Sequence, residues 1–186
     1  MVVPSLLSPL SARVTAGFRS IVSGDPTGAP DWVRELEHGE DVALFGPGSA
    51  VWAVHGDLAT LVGGIRALLL QATHPSVPSG VDEHSSYRQD PLGRLVGTTR
   101  WLTVTAFGSR AAAEREAARV RGLHRRMRGT HRGPDGPPLP YRVDDQRLLG
   151  WVHAAFADSF LTAHQAFGGP IPRRAGRLPA RVGRGR

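Results

Sequence analysis

The stretch AAAEREAARVRGLHRRMR, residues 111–128, predicts a charged helix with one histidine on its apolar side. Five residues at intervals of 4, 3, 4 and 3 positions form that side: Ala113, Ala117, Val120, His124 and Met127. These intervals are typical of the inward face of a helix. An imidazole on such a face needs a polar partner, because burying it without one costs free energy. His124 is therefore a hydrogen-bonded core histidine, a catalytic base or a ligand to iron.

Two further helices are predicted on the N-terminal side of this stretch. Asp57 is placed to cap a helix over residues 58–73, LATLVGGIRALLLQAT. Its broad apolar face contains Leu58, Leu61, Ile65, Leu68, Leu69 and Ala72. Asp90 followed by Pro91 is a strong helix start, and the helix is expected to run to Phe107, before Gly108.

The C-terminal side predicts one more helix after a loop. Residues 129–142, rich in glycine and proline, are expected to form a loop. Asp144 or Asp145 then caps a helix that continues to Phe167. Its apolar stripe contains Leu149, Val152, Phe156, Phe160, Ala163 and Phe167. Residues 51–54, VWAV, are the only short extended piece that we expect, so the fold class is all-α, a single domain of four or more helices.

Composition divides the chain into three parts. We expect a poorly ordered N-terminal segment over residues 1–49, with room for short helices, then a helical domain over residues 50–169 and a basic disordered tail over residues 170–186. The net charge is +7, but six arginines and no acidic residue lie in the last 18 residues, so the remainder carries only +1. A nucleic-acid partner is therefore not expected.

Two absences restrict the chemistry and the location. The chain has no cysteine, which excludes disulfides, iron–sulfur clusters and a cysteine nucleophile. No stretch reaches the roughly 18 apolar residues that span a bilayer, and the first 14 residues are a poor signal peptide because no basic residue precedes their apolar part. We expect a cytoplasmic protein without a transmembrane segment. The loss of periodicity after Gly169 indicates either a basic tail for anionic partners or, the interpretation that we favour, a domain that lacks its last helices.

Several polar residues are candidates for a site. Arg94 and Thr98 share one helix face, where they are a surface pair or a cation and a hydroxyl that face a pocket. Glu83 and His84 are adjacent, either as exposed loop residues or as an acid–base pair. A metal-dependent hydrolase would use three histidines: His74, His84 and His153. Haem needs only one axial imidazole, which His124 can supply.

Four blocks together resemble a known family: VWAVHGD (51–57), GGIRALLLQATHPSVPSGVDEHSSYRQDPLGRL (63–95), TAFGSRAAAEREAARVRGLHRRMRG (105–129) and YRVDDQRLLGWVHAAFADSFLTAHQAFGG (141–169). The family joins bacterial rubber oxygenase, or latex-clearing protein, with the fungal farnesyl-cleaving oxygenase of mycophenolic acid synthesis. Its RVRxxH pattern falls on residues 119–124. The resemblance covers about residues 50–169 and identifies the chain as a bacterial member with a truncated C-terminus.

The resemblance implies an all-α fold with haem b in an apolar pocket between helices. His124 is then the proximal iron ligand, Arg94 and Thr98 line the haem pocket as catalytic residues, and His153 also lines it. Glu83 is the only glutamate in the region of the family's general base. The implied activity is an oxidoreductase reaction of the oxygenase or dioxygenase type, in which dioxygen oxidises or cleaves an apolar, isoprenoid-like small molecule. The alternative is a non-catalytic or inactive truncated helical protein that binds haem or a lipid.

Overall fold

The computed structural model describes residues 8–38, 42–132 and 136–171. Within these ranges the chain forms eight helices and one two-stranded sheet. The elements are α1 (Ser8–Ser23), α2 (Asp31–His38), α3 (Ala50–Gly56), α4 (Ala59–Gln71), α5 (Ser76–His84), α6 (Pro91–Phe107), α7 (Arg110–His124), β1 (Arg128–Arg132), β2 (Pro138–Arg142) and α8 (Gln146–Phe167). The predicted all-α single domain is confirmed, with the small sheet as its only departure in the described residues.

Two helix groups meet at α3. In the first group α6 packs against α1, α2 and α7, and in the second α4 packs against α8 over the most extensive helix contact. The short α3 contacts α4, α6 and α8 and so joins the groups. A bridge between Ala43 and Ser109 attaches the segment before α3 to the α6–α7 corner. The core therefore lies around α3, where α4, α6 and α8 come together.

The predicted helix starts at Asp90 and Asp145 are confirmed, and α7 begins after Ser109; each of the three residues makes a capping hydrogen bond. The Asp90 carboxylate accepts from the Gly93 backbone N–H at 2.8 Å, and the Asp145 carboxylate accepts from the Leu148 N–H at 3.1 Å. The Ser109 hydroxyl oxygen accepts from the Ala112 N–H at 3.1 Å. Each bond satisfies a backbone donor that has no partner within its own helix. These caps fix where the three helices of the candidate site begin.

The segment expected to be extended is helical. Residues 51–54 lie inside α3, where the Ser49 hydroxyl accepts from the Trp52 backbone N–H at 3.3 Å. The Trp52 indole also donates to the Phe45 carbonyl at 2.8 Å. Four apolar residues are too short a pattern to distinguish a strand from a buried helical turn. The prediction of an extended piece was therefore wrong.

The expected loop over residues 129–142 is largely a β-hairpin. Strands β1 and β2 pair antiparallel, with Gly129 opposite Tyr141 and Thr130 opposite Pro140. Proline lacks the N–H of a central strand, but its fixed φ angle is compatible with an edge strand. The cluster of prolines therefore predicted a loop where the chain has a short edge strand. The hairpin packs against α5 and connects α7 to α8.

The face of α4 that is buried is made of small residues. Ala59, Gly63, Ala67 and Gln71 face α8 and are buried, at intervals of four. The large apolar residues face outwards, and Leu58, Ile65 and Leu69 are 79%, 63% and 69% exposed. A Cβ atom added to Gly63 would lie 2.7 Å from Cδ1 of Phe160. The close approach of α4 and α8 thus selects the small face, and the broad apolar face seen in the sequence is the exposed one.

The inward face of α7 is shorter than the periodicity suggests. Ala113 is buried, whereas Val120 and His124 are half-buried. Glu116, which the sequence did not single out, is only 3% exposed. Its carboxylate accepts hydrogen bonds from Arg119, the shortest at 2.6 Å, and from Arg100 at 3.2 Å. A buried carboxylate between two arginines therefore joins α6 to α7.

Two of the three predicted parts of the chain lie at its ends. The segment expected to be poorly ordered, residues 1–49, contains α1 and α2 among its described residues. The predicted disordered tail lies outside the described residues from position 172 onward. In the described ranges no single helix has the length and hydropathy to cross a membrane. The helices α3 and α4 have that length and hydropathy only when taken together, and they are bent by 90° at their junction.

Candidate functional site

Three of the predicted site residues, one each from α6, α7 and α8, lie within electrostatic range of His124 or are His124 itself. Arg94 lies in the first turn of α6, His124 is the last residue of α7, and His153 lies in the second turn of α8. The charges of Arg94 and His153 both act on the His124 imidazole. These three positions are far apart in sequence, so the fold itself assembles them. We refer to Arg94, His124 and His153 as the polar cluster.

The environment of His124 favours its neutral form. Desolvation lowers the pKa of His124, and the positive charges of Arg94 and His153 lower it further, while the Asp144 carboxylate acts in the opposite direction. No hydrogen-bond partner of the His124 ring exists among the described residues. A neutral imidazole with an unused nitrogen lone pair is the form that binds a metal ion.

A backbone hydrogen bond fixes the tautomer of His153. Its Nδ1 atom lies 2.8 Å from the carbonyl oxygen of Leu149. A carbonyl oxygen only accepts hydrogen bonds, so Nδ1 must carry the proton. In the neutral ring Nε2 then keeps its lone pair, and no described residue hydrogen-bonds to it. The Trp101 ring meets the His153 ring edge to face, with centroids 6.3 Å apart, and so restricts its orientation.

An apolar cavity of about 450 Å³ begins at His153. It lies between α3, α6 and α8, and its lining includes Val54, His55, Trp101, Leu102, His153, Phe156 and Phe160. Three aromatic rings form a row along it: Trp101 lies 5.7 Å from Phe156, which stacks on Phe160 at 5.8 Å between centroids. Its volume is in the range of small-molecule sites, which are mostly apolar with few polar groups.

Arg94 and Thr98 lie next to the cavity without lining it. Thr98 precedes Trp101 and Leu102 by one helical turn, and its hydroxyl donates to the Arg94 carbonyl oxygen at 3.2 Å. The Arg94 side chain is exposed overall, yet desolvation of its guanidinium group lowers its pKa. No carboxylate among the described residues pairs with this guanidinium. His153 is thus the one member of the polar cluster that also lines the cavity.

Glu83 is placed apart from the polar cluster. Its carboxylate accepts a hydrogen bond from the Tyr141 hydroxyl at 2.7 Å, where α5 meets the hairpin. Burial, followed by this hydrogen bond and the carboxylate's charge, raises the pKa of Tyr141 to about 12. The described contacts of Glu83 include neither Arg94, Thr98 nor His124. Its surroundings are those of a group that attaches the hairpin to α5.

The histidines of the metal-dependent hydrolase hypothesis do not converge. The His74 ring lies 6.2 Å from the Trp151 ring, and His84 Nε2 donates to the Arg128 carbonyl oxygen at 3.2 Å. Across the part of the chain that the structure describes, no three or more His, Asp or Glu side chains are grouped to hold a bare metal ion. That hypothesis is therefore wrong for the described residues.

Sequence analysis missed two residues of the site. His55 lines the far end of the cavity, 4.7 Å from the Phe160 ring, and burial lowers its pKa. Asp144 lies in the chain segment after β2, and its negative charge raises the pKa of His124. Its carboxylate also accepts a hydrogen bond from the Arg142 guanidinium at 2.9 Å. The only signal for His55 was its presence in the block at residues 51–57 that resembles the family. Asp144 was noted only as an alternative helix cap.

Comparison with known proteins identifies the family. Residues 52–177, about two-thirds of the chain, match the family described as ER-bound oxygenase mpaB/B'/Rubber oxygenase, catalytic domain. No curated protein and no solved structure matches the chain significantly. The matched region contains the polar cluster and eleven of the fourteen residues that line the cavity. The chain therefore belongs to the mpaB/rubber oxygenase catalytic-domain family.

Proposed function

We propose that this protein is a haem b-dependent oxygenase that uses dioxygen to oxidise or cleave an apolar, isoprenoid-like small molecule. One observation carries the proposal: His124, whose ring has no hydrogen-bond partner among the described residues and whose pKa is lowered, lies within electrostatic reach of His153, and His153 lines an apolar cavity. This arrangement supports an iron ligand beside an apolar substrate site. The family supplies the oxygenase class of reaction.

The residues around His124 fit a haem group. The imidazole is half-buried at the end of α7 and has no hydrogen-bond partner within residues 8–38, 42–132 and 136–171. A histidine-ligated haem needs one such imidazole and apolar surroundings. His124 would hold the iron, with Arg94 and Thr98 beside the same group.

The protein residues of this site have separable roles. Bound haem supplies the activation of dioxygen. His124 would hold the iron through a ring nitrogen, and desolvation, followed by the neighbouring positive charges, lowers its pKa and so favours the neutral imidazole that this requires. Arg94 contributes a fixed positive charge that favours negative charge developing nearby. The Thr98 hydroxyl, whose proton is directed to the Arg94 carbonyl, keeps oxygen lone pairs available as acceptors.

The cavity selects an apolar substrate. Its aromatic row offers flat hydrocarbon surfaces to a chain of C=C bonds, and His55 and His153 are its ionisable lining residues. Such a surface binds hydrocarbon by removing it from water. It also excludes water from the reacting group. Glu83 is the remaining candidate catalytic base, but its hydrogen bond to Tyr141 favours a structural role for it.

The first experiment is an absorption spectrum of the purified chain after expression with supplemented haem. We expect a Soret band at near-stoichiometric haem content in wild type and its loss in His124→Ala. His84→Ala is the matched control, because that histidine lies at the hairpin and should leave the band unchanged. A His124→Ala protein that keeps haem with an unaltered spectrum would refute the ligand assignment. Circular dichroism of each variant confirms that it is folded.

Oxygen consumption distinguishes the oxygenase from a haem carrier. The loaded protein is mixed with an acyclic isoprenoid such as squalene, and dissolved oxygen and carbonyl products are measured. Uptake of oxygen that depends on squalene and is lost in His124→Ala supports the proposed function. Stoichiometric haem without such uptake, over a panel of apolar substrates, supports the alternative of a non-catalytic haem-binding protein.

A further inference from the structure

We propose that His55 determines the specificity of the cavity by hydrogen-bonding an uncharged hydroxyl group at one end of an otherwise apolar substrate. This inference rests on the proposed function, because it takes the cavity between α3, α6 and α8 to be the substrate site. It narrows the substrate from any isoprenoid-like hydrocarbon to an apolar chain that ends in an alcohol. His55 lies on α3, apart from the residues proposed to hold haem.

The rings of the cavity form a row with an imidazole at each end. At one end the His153 ring lies 6.3 Å from the Trp101 ring, which lies 5.7 Å from Phe156 between centroids. At the other end Phe156 stacks on Phe160 at 5.8 Å, and the His55 ring lies 4.7 Å from Phe160. Hydrocarbon that lies along the three aromatic rings therefore has a polar group of the protein beyond each of its ends.

His55 has a hydrogen-bonding capacity that the fold does not use. Its side chain is half-buried, and no described residue makes a hydrogen bond or an ion pair with its ring. Two other polar lining groups already have partners. The Thr105 hydroxyl donates to the Trp101 carbonyl oxygen at 2.6 Å, and Nδ1 of His153 donates to the Leu149 carbonyl oxygen at 2.8 Å. Because withdrawing an unpaired polar group from water costs free energy, a ligand group that pairs with His55 should be favoured there.

The lining favours an uncharged hydroxyl over other polar groups. A neutral imidazole has one N–H donor and one lone pair that accepts, and an alcohol offers both complementary functions on one oxygen. The described residues that line the cavity include no Asp, Glu, Lys or Arg, so an ionised head group would lose water without gaining an opposite charge. Burial also lowers the pKa of His55, which favours the uncharged ring near neutral pH.

Binding at His55 would also fix the direction of the substrate in the cavity. With its hydroxyl at His55, the hydrocarbon extends along the aromatic row towards His153, which is the member of the polar cluster that lines the cavity. The C=C bond that reaches the His153 end is then set by its distance from the hydroxyl. His55 would therefore select both the class of substrate and the position along the chain that is oxidised.

The test measures binding to the purified full chain without turnover. Geraniol, geranic acid and the hydrocarbon of the same skeleton without the hydroxyl are each titrated against a bound, neutral fluorescent naphthylamine. In His55→Phe, which keeps a ring against Phe160 but cannot hydrogen-bond, the Kd of geraniol should rise about 3- to 10-fold, the value of one hydrogen bond. The Kd of the hydrocarbon should change by less than about 2-fold. His55→Gln keeps a donor and an acceptor, so it should retain most of the affinity for geraniol.

Val51→Ala is the matched control, because Val51 is an apolar lining residue one helical turn before His55 on α3. It should weaken geraniol and the hydrocarbon by the same factor. Nitrogen NMR of the histidine rings in wild type adds a readout without any substitution. The His55 resonances should move when geraniol is added and stay in place when the hydrocarbon is added.

The outcomes separate this inference from the proposed function. An equal loss of geraniol and hydrocarbon in His55→Phe, tighter binding of geranic acid than of geraniol, or His55 resonances that geraniol leaves unchanged would each overturn the role of His55. A Soret band in a protein that binds none of the three ligands also overturns it, while haem binding stands. A preference for geraniol that depends on His55, in a folded protein that takes up no haem, supports the role of His55 and refutes the haem-dependent oxygenase.

Discussion

Substituting Gly63 by alanine tests the close packing of α4 on α8. The new Cβ atom would lie 2.7 Å from Cδ1 and 3.0 Å from the backbone Cα of Phe160, and 3.4 Å from Cβ of Ala163. A ring can rotate, but a backbone Cα atom moves only if the helix moves. Overpacking of this kind costs about 1–3 kcal/mol, and replacing glycine inside a helix returns about 1 kcal/mol. We expect Gly63→Ala to lower the free energy of unfolding by about 0–2 kcal/mol.

Gly64 provides the matched control in the next position of the same helix. An added Cβ atom there meets nothing within 4 Å, so only the helix-propensity gain applies. Gly64→Ala should therefore raise the free energy of unfolding by about 1 kcal/mol, which corresponds to a melting temperature higher by about 2–4 °C. Urea unfolding followed by circular dichroism measures both. Equal stabilisation by the two variants would show that α4 and α8 do not approach so closely.

Three further substitutions test separate contacts. Tyr141→Phe should lower the free energy of unfolding by about 1 kcal/mol, because the hydrogen bond to Glu83 is lost. The contribution of this hydrogen bond is complete below pH 10 and is lost as the pH rises through about 12, the raised pKa of Tyr141. The unfolding curves of wild type and variant should therefore converge at that pH. Glu116→Gln should cost about 1.5–3 kcal/mol, because a buried carboxylate loses charged hydrogen bonds, while Glu114→Gln on the exposed side of α7 should leave the urea midpoint unchanged. Ile65→Gln should change stability by less than about 0.5 kcal/mol, since this side chain is 63% exposed; a larger loss would place it in the core.

Local signals in the sequence predicted the helix boundaries well. A capping side chain acts on backbone groups within three residues, so Asp90, Ser109 and Asp145 are recognisable without any tertiary information. The extended piece at residues 51–54 and the loop at residues 129–142 were wrong, because their patterns are short or dominated by proline. In both, contacts with distant segments decide the structure.

Local sequence patterns did not predict which side of α4 is buried. The periodicity of its leucines predicts an amphipathic helix, but the distance between α4 and α8 decides whether leucine or glycine faces the partner. At this crossing Gly63 leaves space for the Phe160 ring, and a larger residue at position 63 would clash with that ring. A crossing distance is a property of two helices together, and one helix sequence does not contain it.

The sequence predicted the candidate site only in part, because contacts between residues distant in the sequence also determine its geometry. Periodicity singled out His124, helix spacing paired Arg94 with Thr98, and the family resemblance gave Arg94 and His153 a place in a haem pocket; in the structure the charges of Arg94 and His153 both act on His124. The tautomer of His153 depends on a carbonyl oxygen one turn away, and the position of Glu83 depends on its contact with Tyr141. Neither is visible as a spacing of residue types.

The pairing of α4 with α8 has a consequence for synthesis of the chain. The Arg66 guanidinium donates to Asp158 at 2.6 Å and to the buried Ser159 hydroxyl at 2.8 Å, partners 92 and 93 positions further along the sequence. At about 5–20 residues per second, a ribosome makes α4 roughly 5–20 s before the part of α8 that covers it. During that interval both the glycine–alanine face and the leucine face of α4 are exposed to the cell. We expect the nascent chain to be a client for chaperones until α8 emerges, because only then can the two helices pack.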